Sequence, residues 1–170
     1  MHNWKWNLML GHYKKIIKPN SRILDIGAGD LFISKLMQDK FGKVIGADIM
    51  DCHTNLVEKV ILKDNKLPFP DKSFDVVTFN DSMHHITEQE KILNEARRVS
   101  KKIILFEDDK NITSYILDVI LNRFDMARPF THKSVREWFK FFNNLNFEVE
   151  CIKVKRPFWY PLKHYIYVIK

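Results

Sequence analysis

An open α/β sheet of mostly parallel strands, with one reversed strand near an edge, is what this sequence predicts. Three observations carry that expectation. Short apolar runs alternate with segments of helical periodicity along most of the chain. The first of these runs ends in an acid and two closely spaced glycines, in SRILDIGAGD. The last two alternating segments are joined by too few residues for a crossover helix, so they must run antiparallel to each other.

The elements follow in order. Residues 4–17 (WKWNLMLGHYKKII) read as a short helix stopped by Pro19-Asn20. Arg22–Ile26 is a buried strand. Leu31–Phe41 has its apolar residues at helical spacing and ends at Gly42. Lys43–Ile49, Val57–Leu62 and Phe74–Phe79 are the next three strands. Thr87 and Glu90 have the spacing of a capping box, which predicts a helix from there to about Val99. Lys102–Phe106 is the fifth strand, residues 113–127 are helical, and Ser134 with Glu137 caps a further helix to about Asn144. Phe147–Val154 and His164–Ile169 close the sheet as a pair.

Composition sets the limits. A chain of 170 residues, 45% hydrophobic and 29% charged, suits a single domain with its own core, spanning 1–170. No apolar run reaches the roughly 20 residues that cross a bilayer, and Met1–Trp6 has no signal-peptide pattern behind it. Two distant cysteines, Cys52 and Cys151, make no CxxC, so a reducing, cytoplasmic setting is expected, with no metal framework of zinc spacing. The net charge of +7 favours anionic partners, yet it is spread along the chain rather than clustered.

The glycine turn carries the chemistry. Gly27 and Gly29, with Ala28 between them, let the main chain turn sharply at a strand tip and approach a ligand closely. Ligands of open α/β sheets bind at such tips. Asp48 ends the second strand about 19 positions after Gly29, where an acid accepts from ribose hydroxyls. Asp25 stands just before the glycines, where its charge would repel a pyrophosphate but suit a cofactor with an ammonium and a sulfonium. Position 32 is Phe, so the third glycine of a dinucleotide fingerprint is missing.

Taken together, ILDIGAGD (23–30), VIGADI (44–49), DNKLPFPDKSFDVVTF (64–79) and SMHHI (82–86) resemble the class I S-adenosylmethionine-dependent methyltransferases, especially those acting on small molecules. The resemblance covers about residues 10–108. It implies a Rossmann-like seven-stranded sheet with helices on both faces, and S-adenosyl-L-methionine as cofactor, leaving S-adenosyl-L-homocysteine as product. It also implies roles. Asp25, Gly27, Ala28 and Gly29 would shape the methionine end. Asp48 would bind the ribose, with Ile49 against the adenine. Asp64 and Asn65 would meet the adenine edge, and Asn80 the amino group of the cofactor. SMHHI resembles the usual opening of the next helix. Leu31 stands where the family often has a further glycine, and residues 1–20 form only a short helical extension.

Methyl transfer needs alignment and exclusion of water, and a base only when the acceptor must lose a proton. His84, His85 and Asp81 follow the fourth strand and are the candidates for that base. Glu107, Asp108 and Asp109 either face the acceptor, bind a cation, or solvate a loop and cap the next helix. No Asn-Pro-Pro-Tyr stands at 80–83, which weighs against amino methylation of nucleic acid bases. Residues 110–145 are read as a helical insert on the substrate side. In the C-terminal third, Trp138, Phe139, Phe141 and Phe142, with Tyr115, Leu117, Ile120, Leu121 and Phe124 from the preceding helix, are apolar enough for core or for an acceptor pocket. Phe158, Trp159 and Tyr160, beside Lys155, Arg156 and Lys163, suit a membrane interface, base stacking or a homodimer contact. The favoured acceptor is a small or lipid-like molecule. A nucleic acid acceptor, or cofactor binding without catalysis, are the alternatives.

Overall fold

The computed structural model describes residues 2–51, 53–63, 66–111, 113, 116 and 131–170. Within these, the elements run α1 (His2–Ile16), β1 (Ile23–Ile26), α2 (Phe32–Phe41), β2 (Val44–Asp48), β3 (Glu58–Ile61) and β4 (Val76–Asn80). A single turn of 3-10 helix follows at Met83–His85, then α3 (Gln89–Val99) and β5 (Ile103–Asp108). The chain ends with α4 (Val135–Asn144), β6 (Val149–Lys153) and β7 (His164–Ile169).

One sheet of seven strands has the order β3-β2-β1-β4-β5-β7-β6. Strands β1 to β5 pair in parallel, and β7 runs antiparallel to both of its neighbours. The order turns back on itself between β1 and β4, which is where open α/β sheets leave a crevice at their carboxyl edge.

Strand alternation sorts the core into two layers. Leu24, Ile26, Val77, Phe79, Ile103 and Leu105 face α3 and α4, together with Trp138 and Phe142. Ile23, Val76, Ile104 and Phe106 face α1 and α2, with Trp6, Met9, Tyr13 and Ile17 spaced three or four apart along α1. Each large side chain buried in this way contributes roughly 1.5–3 kcal/mol relative to exposure. Trp138 and Phe142 stack at 5.3 Å and both meet Tyr167 of β7. The inner aromatics of α4 are therefore core, inside the stretch read above as a substrate-side insert. The helix expected over 113–127, with Tyr115, Leu117, Ile120, Leu121 and Phe124, lies outside the described residues apart from positions 113 and 116.

Several local expectations are corrected. The Thr87–Glu90 capping box does not form: α3 starts at Gln89, its N-cap is Glu88, and no side chain caps it. Gln89 is held instead, its Nε2 donating to the Met83 carbonyl and to Thr131 Oγ1, both at 2.7 Å. SMHHI does not open that helix either, because Ile86 adopts an extended backbone after one 3-10 turn. The expected box at Ser134 is present, with Ser134 and Glu137 bonded reciprocally. Strand β5 runs on to Asp108, because β7 pairs with it as far as His164. Glu107 and Asp108 are therefore buried strand residues rather than a solvated loop.

The Leu31 position is also informative. It is the left-handed N-cap of α2, with φ of 63°. Its buried side chain is accommodated by Gly46 of β2, where a Cβ would lie 2.4 Å from Leu31 Cδ2. A glycine on one strand thus makes room for the leucine of the turn.

Candidate active site

Ile23 and Asp25 share a face of β1, as do Val76, Thr78 and Asn80 of β4, and Asp25 lies opposite Thr78 in register. A polar column results in the layer under α1 and α2. Asp25 Oδ1 accepts from Thr78 Oγ1 at 2.8 Å and from Asn80 Nδ2 at 2.7 Å, and Oδ2 accepts from Ser34 Oγ at 2.6 Å. Asn80 Oδ1 in turn accepts the Tyr13 hydroxyl at 2.6 Å. Burial pushes the Asp25 carboxyl up to about 6; the bonds from Ser34, Thr78 and Asn80 oppose that shift, and the Asp48 charge adds to it. Burial likewise holds the Tyr13 phenol well above its ordinary value, with the Asp25 charge second.

Beyond this column the chain turns at Gly27 and Gly29, with φ of 72° and 52°. A Cβ at Gly27 would fall 2.4 Å from Ser82 Cβ, whereas one at Gly29 would meet nothing within 4 Å. Ser82 Oγ donates to the Ile26 carbonyl at 2.8 Å and so ties the tip of β1 to the turn after β4. Asp48 Oδ2 accepts the Gly29 N–H at 2.9 Å and Oδ1 accepts the Met50 N–H at 3.1 Å. Each oxygen keeps capacity for a further donor.

These residues wall a cavity of about 720 Å³, within the usual size for small-molecule sites. Asp25, Gly27, Ala28, Gly29, Asp48, Ile49 and Asn80 all border it. Asp64 and Asn65 lie outside the described residues. Ile49 and Met50 are 64% and 46% exposed and offer an apolar ledge beside Asp48.

The three candidate bases separate. Asp81 and His85 border the cavity; His84 does not. Asp81 has a left-handed backbone with φ of 50°, forms an ion pair with Lys5, and lies 3.4 Å from His164 Nε2. Burial works to raise its pKa, but Lys5 and His164 outweigh it and hold the carboxyl well below the usual range. His84 is buried, with Nδ1 2.6 Å from Glu107 Oε2. Glu107 Oε1 accepts the Ser82 and Met83 N–H groups at 3.0 and 2.7 Å. His84, Asp108 and His132 can each place one ligand atom within 4.8 Å of the others, a grouping that spacing in the sequence does not reveal. The His84 and His132 rings stack at 4.3 Å with planes 17° apart, so their in-plane lone pairs run side by side rather than converging.

Sequence reasoning missed Lys5, Met9, Tyr13, Ser82 and His164. Lys5 and Met9 bring α1 to the cavity wall, and Phe106 borders it from β5. One signal was present. A carboxylate in the middle of a buried strand needs partners, and Tyr13 on the apolar stripe of α1 is a donor of the right reach.

Comparison with known proteins agrees with this fold. Residues 24–103 match the family described as "Methyltransferase domain". Bacillus subtilis YcgJ, an uncharacterized methyltransferase, is 30% identical over 138 residues, covering 71% of this chain and 54% of that protein. The Vibrio campbellii ubiquinone/menaquinone biosynthesis C-methyltransferase UbiE is 34% identical over 116 residues, covering 56% and 44%. A SAM-dependent methyltransferase from Aquifex aeolicus superposes with a TM-score of 0.68 at 20% identity, over 96% of this chain and 87% of that one. The match over residues 24–103 and the fold support a class I S-adenosylmethionine-dependent methyltransferase domain. The chain spans about half the length of the curated relatives it matches.

The residues present fit S-adenosyl-L-methionine, the cofactor of that class. Gly29 leaves open space at a strand tip, Asp48 retains acceptor capacity for two hydroxyls, and Ile49 offers an apolar face.

Proposed function

We propose that this chain transfers a methyl group from S-adenosyl-L-methionine to a small, largely apolar acceptor. The observation that carries the reading is the composition of the wall of this cavity. At the β2 end stand the glycine turn and Asp48; toward β5 stand Met9, Ile86, His85 and Phe106. When bound, the cofactor supplies a sulfonium-borne methyl group open to in-line attack.

The residues of the chain then have assignable tasks. Asp48 holds the ribose hydroxyls, and the turn at Gly27–Gly29 lets the backbone come close. Asp25 and Asn80 receive the ammonium end. A cation there favours the Asp25 carboxylate, so cofactor affinity should rise as pH rises through about 6. Met9 and Phe106 exclude water from the acceptor side. His85 is the side chain positioned to accept a proton from the acceptor. Asp81, paired with Lys5 and held at a low pKa, orders α1 over the site rather than acting as base.

The wall also speaks to substrate charge. Among the described residues, Asp25, Asp30, Asp48, Asp81 and Glu88 border the cavity, with Lys5 as the cation beside them. Such a mouth disfavours a polyanion, which supports a small neutral acceptor over RNA despite the net charge of +7.

Calorimetric titration tests the assignment. Asp48→Ala should weaken S-adenosyl-L-methionine binding by about 1–3 kcal/mol, the scale of charge-assisted hydrogen bonds. Asp48→Asn, which keeps an acceptor for one of the two N–H groups, should fall between. Undiminished affinity in both would sink the ribose assignment.

A further inference from the structure

The connection from β6 to β7 has features the cavity does not explain. Phe158 is 99% exposed and Trp159 60% exposed, the two largest exposures among the described large apolar side chains apart from Ile49 on the cavity ledge. Leaving both in water forgoes the gain from burying them. They do not sit on a loose strand. The Tyr160 N–H donates to the Pro157 carbonyl at 3.1 Å, closing a turn with Phe158 and Trp159 at its apex. Arg156 donates to the Tyr160 carbonyl across the same turn. Tyr160 is buried and stacks on His164, with ring centroids 5.7 Å apart. The turn is thus braced from below while its two aromatics project outward.

Along the chain the charge at this turn is one-sided, with Asp109 of the neighbouring strand end bonded through its N–H to the Lys163 carbonyl at 2.8 Å. Lys153, Lys155, Arg156 and Lys163 are exposed, and from Cys151 to Lys170 the sequence contains no acid. An apolar apex flanked along the chain by exposed cations is the pattern of a segment that enters the interfacial layer of an anionic bilayer, aromatics among the headgroups and cations against their phosphates. A strand-binding site for nucleic acid would instead need a groove in which bases stack, and a convex apex provides none.

The location gives the pattern a meaning. Strand β7 is antiparallel to both β5 and β6, so β6 runs in the direction of β5 and the turn emerges at the edge where β1, β2, β4 and β5 open into the cavity. His164, beneath the turn, is 3.4 Å from Asp81 on the cavity wall. Among the described residues no helix is long and apolar enough to cross a membrane, so contact here would be peripheral.

We propose that residues 155–163 form a docking surface for an anionic lipid bilayer, seating the cavity edge of the sheet toward the membrane. Docking stands or falls apart from the methyl-transfer reading, because vesicle binding needs neither cofactor nor turnover. The test is cosedimentation of the purified chain with vesicles of phosphatidylcholine alone and of phosphatidylcholine mixed with phosphatidylglycerol. Binding should be strong only to the mixed vesicles and weaken with salt. The double variant Phe158→Ser, Trp159→Ser should lose at least about tenfold in affinity with an unchanged melting temperature. Lys155→Gln with Lys163→Gln should lose the preference for the anionic lipid; Arg156 is left intact because it braces the turn. Wild-type chain that ignores mixed vesicles, or a serine variant that binds them as well as wild type, overturns the proposal. So does an effect of that variant confined to RNA binding or to self-association.

Discussion

The two ends of the cavity are built in opposite ways. At the β1 and β2 end the wall is backbone: two left-handed glycines, an N–H held by Asp48, and open space beyond. At the β4 and β5 end it is side chains: Lys5, Asp81, His85 and Phe106 border it, with His164 behind Asp81 and the His84–Glu107 pair set deeper. The difference teaches which part of the site is general and which particular. A cofactor common to a class can be met by main-chain geometry that tolerates little variation. The acceptor end is free to be rebuilt with side chains, and here it is tied to α1.

The sharpest way to break the comparison is Gly27→Val. A side chain there would need a left-handed backbone, costing roughly 1–2 kcal/mol, and would overlap Ser82, costing roughly 1–3 kcal/mol more. A loss of about 4 kcal/mol in denaturant unfolding is expected, together with loss of cofactor binding. A mild effect would mean that Ser82 yields easily and that the bridge between β1 and the turn after β4 is loose.

Asp25→Asn comes next. The folded pKa of about 6 is raised above the ordinary carboxyl value. Below both values the acid is neutral in folded and unfolded chain alike, and Asp25 costs nothing. As pH rises from about 4 to about 6 the unfolded chain gives up its proton first, so stability falls, and it stays lowered above that range. At about 1.4 kcal/mol per pKa unit the cofactor-free chain loses up to about 3 kcal/mol by neutral pH. Asp25→Asn should remove that slope and raise cofactor-free stability at neutral pH, while weakening cofactor binding. Urea unfolding at about pH 4 and pH 7 checks the sign. A variant destabilised equally at both would show that the three hydrogen bonds outweigh the buried charge.

Glu107→Gln probes the other end. The carboxylate accepts two backbone N–H groups and faces His84 Nδ1, all buried. Losing the charge should cost about 2 kcal/mol in stability and change cofactor affinity by less than about threefold, equivalent to about 0.7 kcal/mol. A large fall in affinity would erase the division between the two ends.

That division also explains what could be read in advance. That Gly27, Gly29 and Asp48 stand at strand tips beside the cavity was legible because a strand, its turn and its terminal acid are consecutive residues, and short stretches of sequence encode those directly. The capping box at Ser134 was legible for the same reason, being local. The network around Asp81 was not. Lys5 reaches it across 76 positions and leaves no periodic trace, and Tyr13, though it lies on the periodic stripe of α1, reaches Asn80 across 67 positions that the stripe does not reveal. Thr87 and Glu90 misled because Gln89, tethered to Thr131 from 42 positions away, fixes the helix start by tertiary contact. Glu107 and Asp108 read as loop acids because nothing before β7 is placed shows that β5 continues through them.

Gly29→Ala is the smallest expected effect and the most discriminating partner to Gly27→Val. Gly29 shares the left-handed backbone, with φ of 52°, but its added methyl would meet nothing within 4 Å. Only the conformational cost remains, about 1 kcal/mol, and its N–H can still bond Asp48 at the same 2.9 Å contact. The methyl would project into the space assigned to the cofactor, so binding should suffer more than folding does. Thermal melts and calorimetry on the same sample separate the two quantities. If Gly29→Ala destabilises the fold as much as Gly27→Val, the strain lies in the turn itself and not in its packing against Ser82. If it folds and binds normally, the open space beside Gly29 is not where the ligand approaches the main chain.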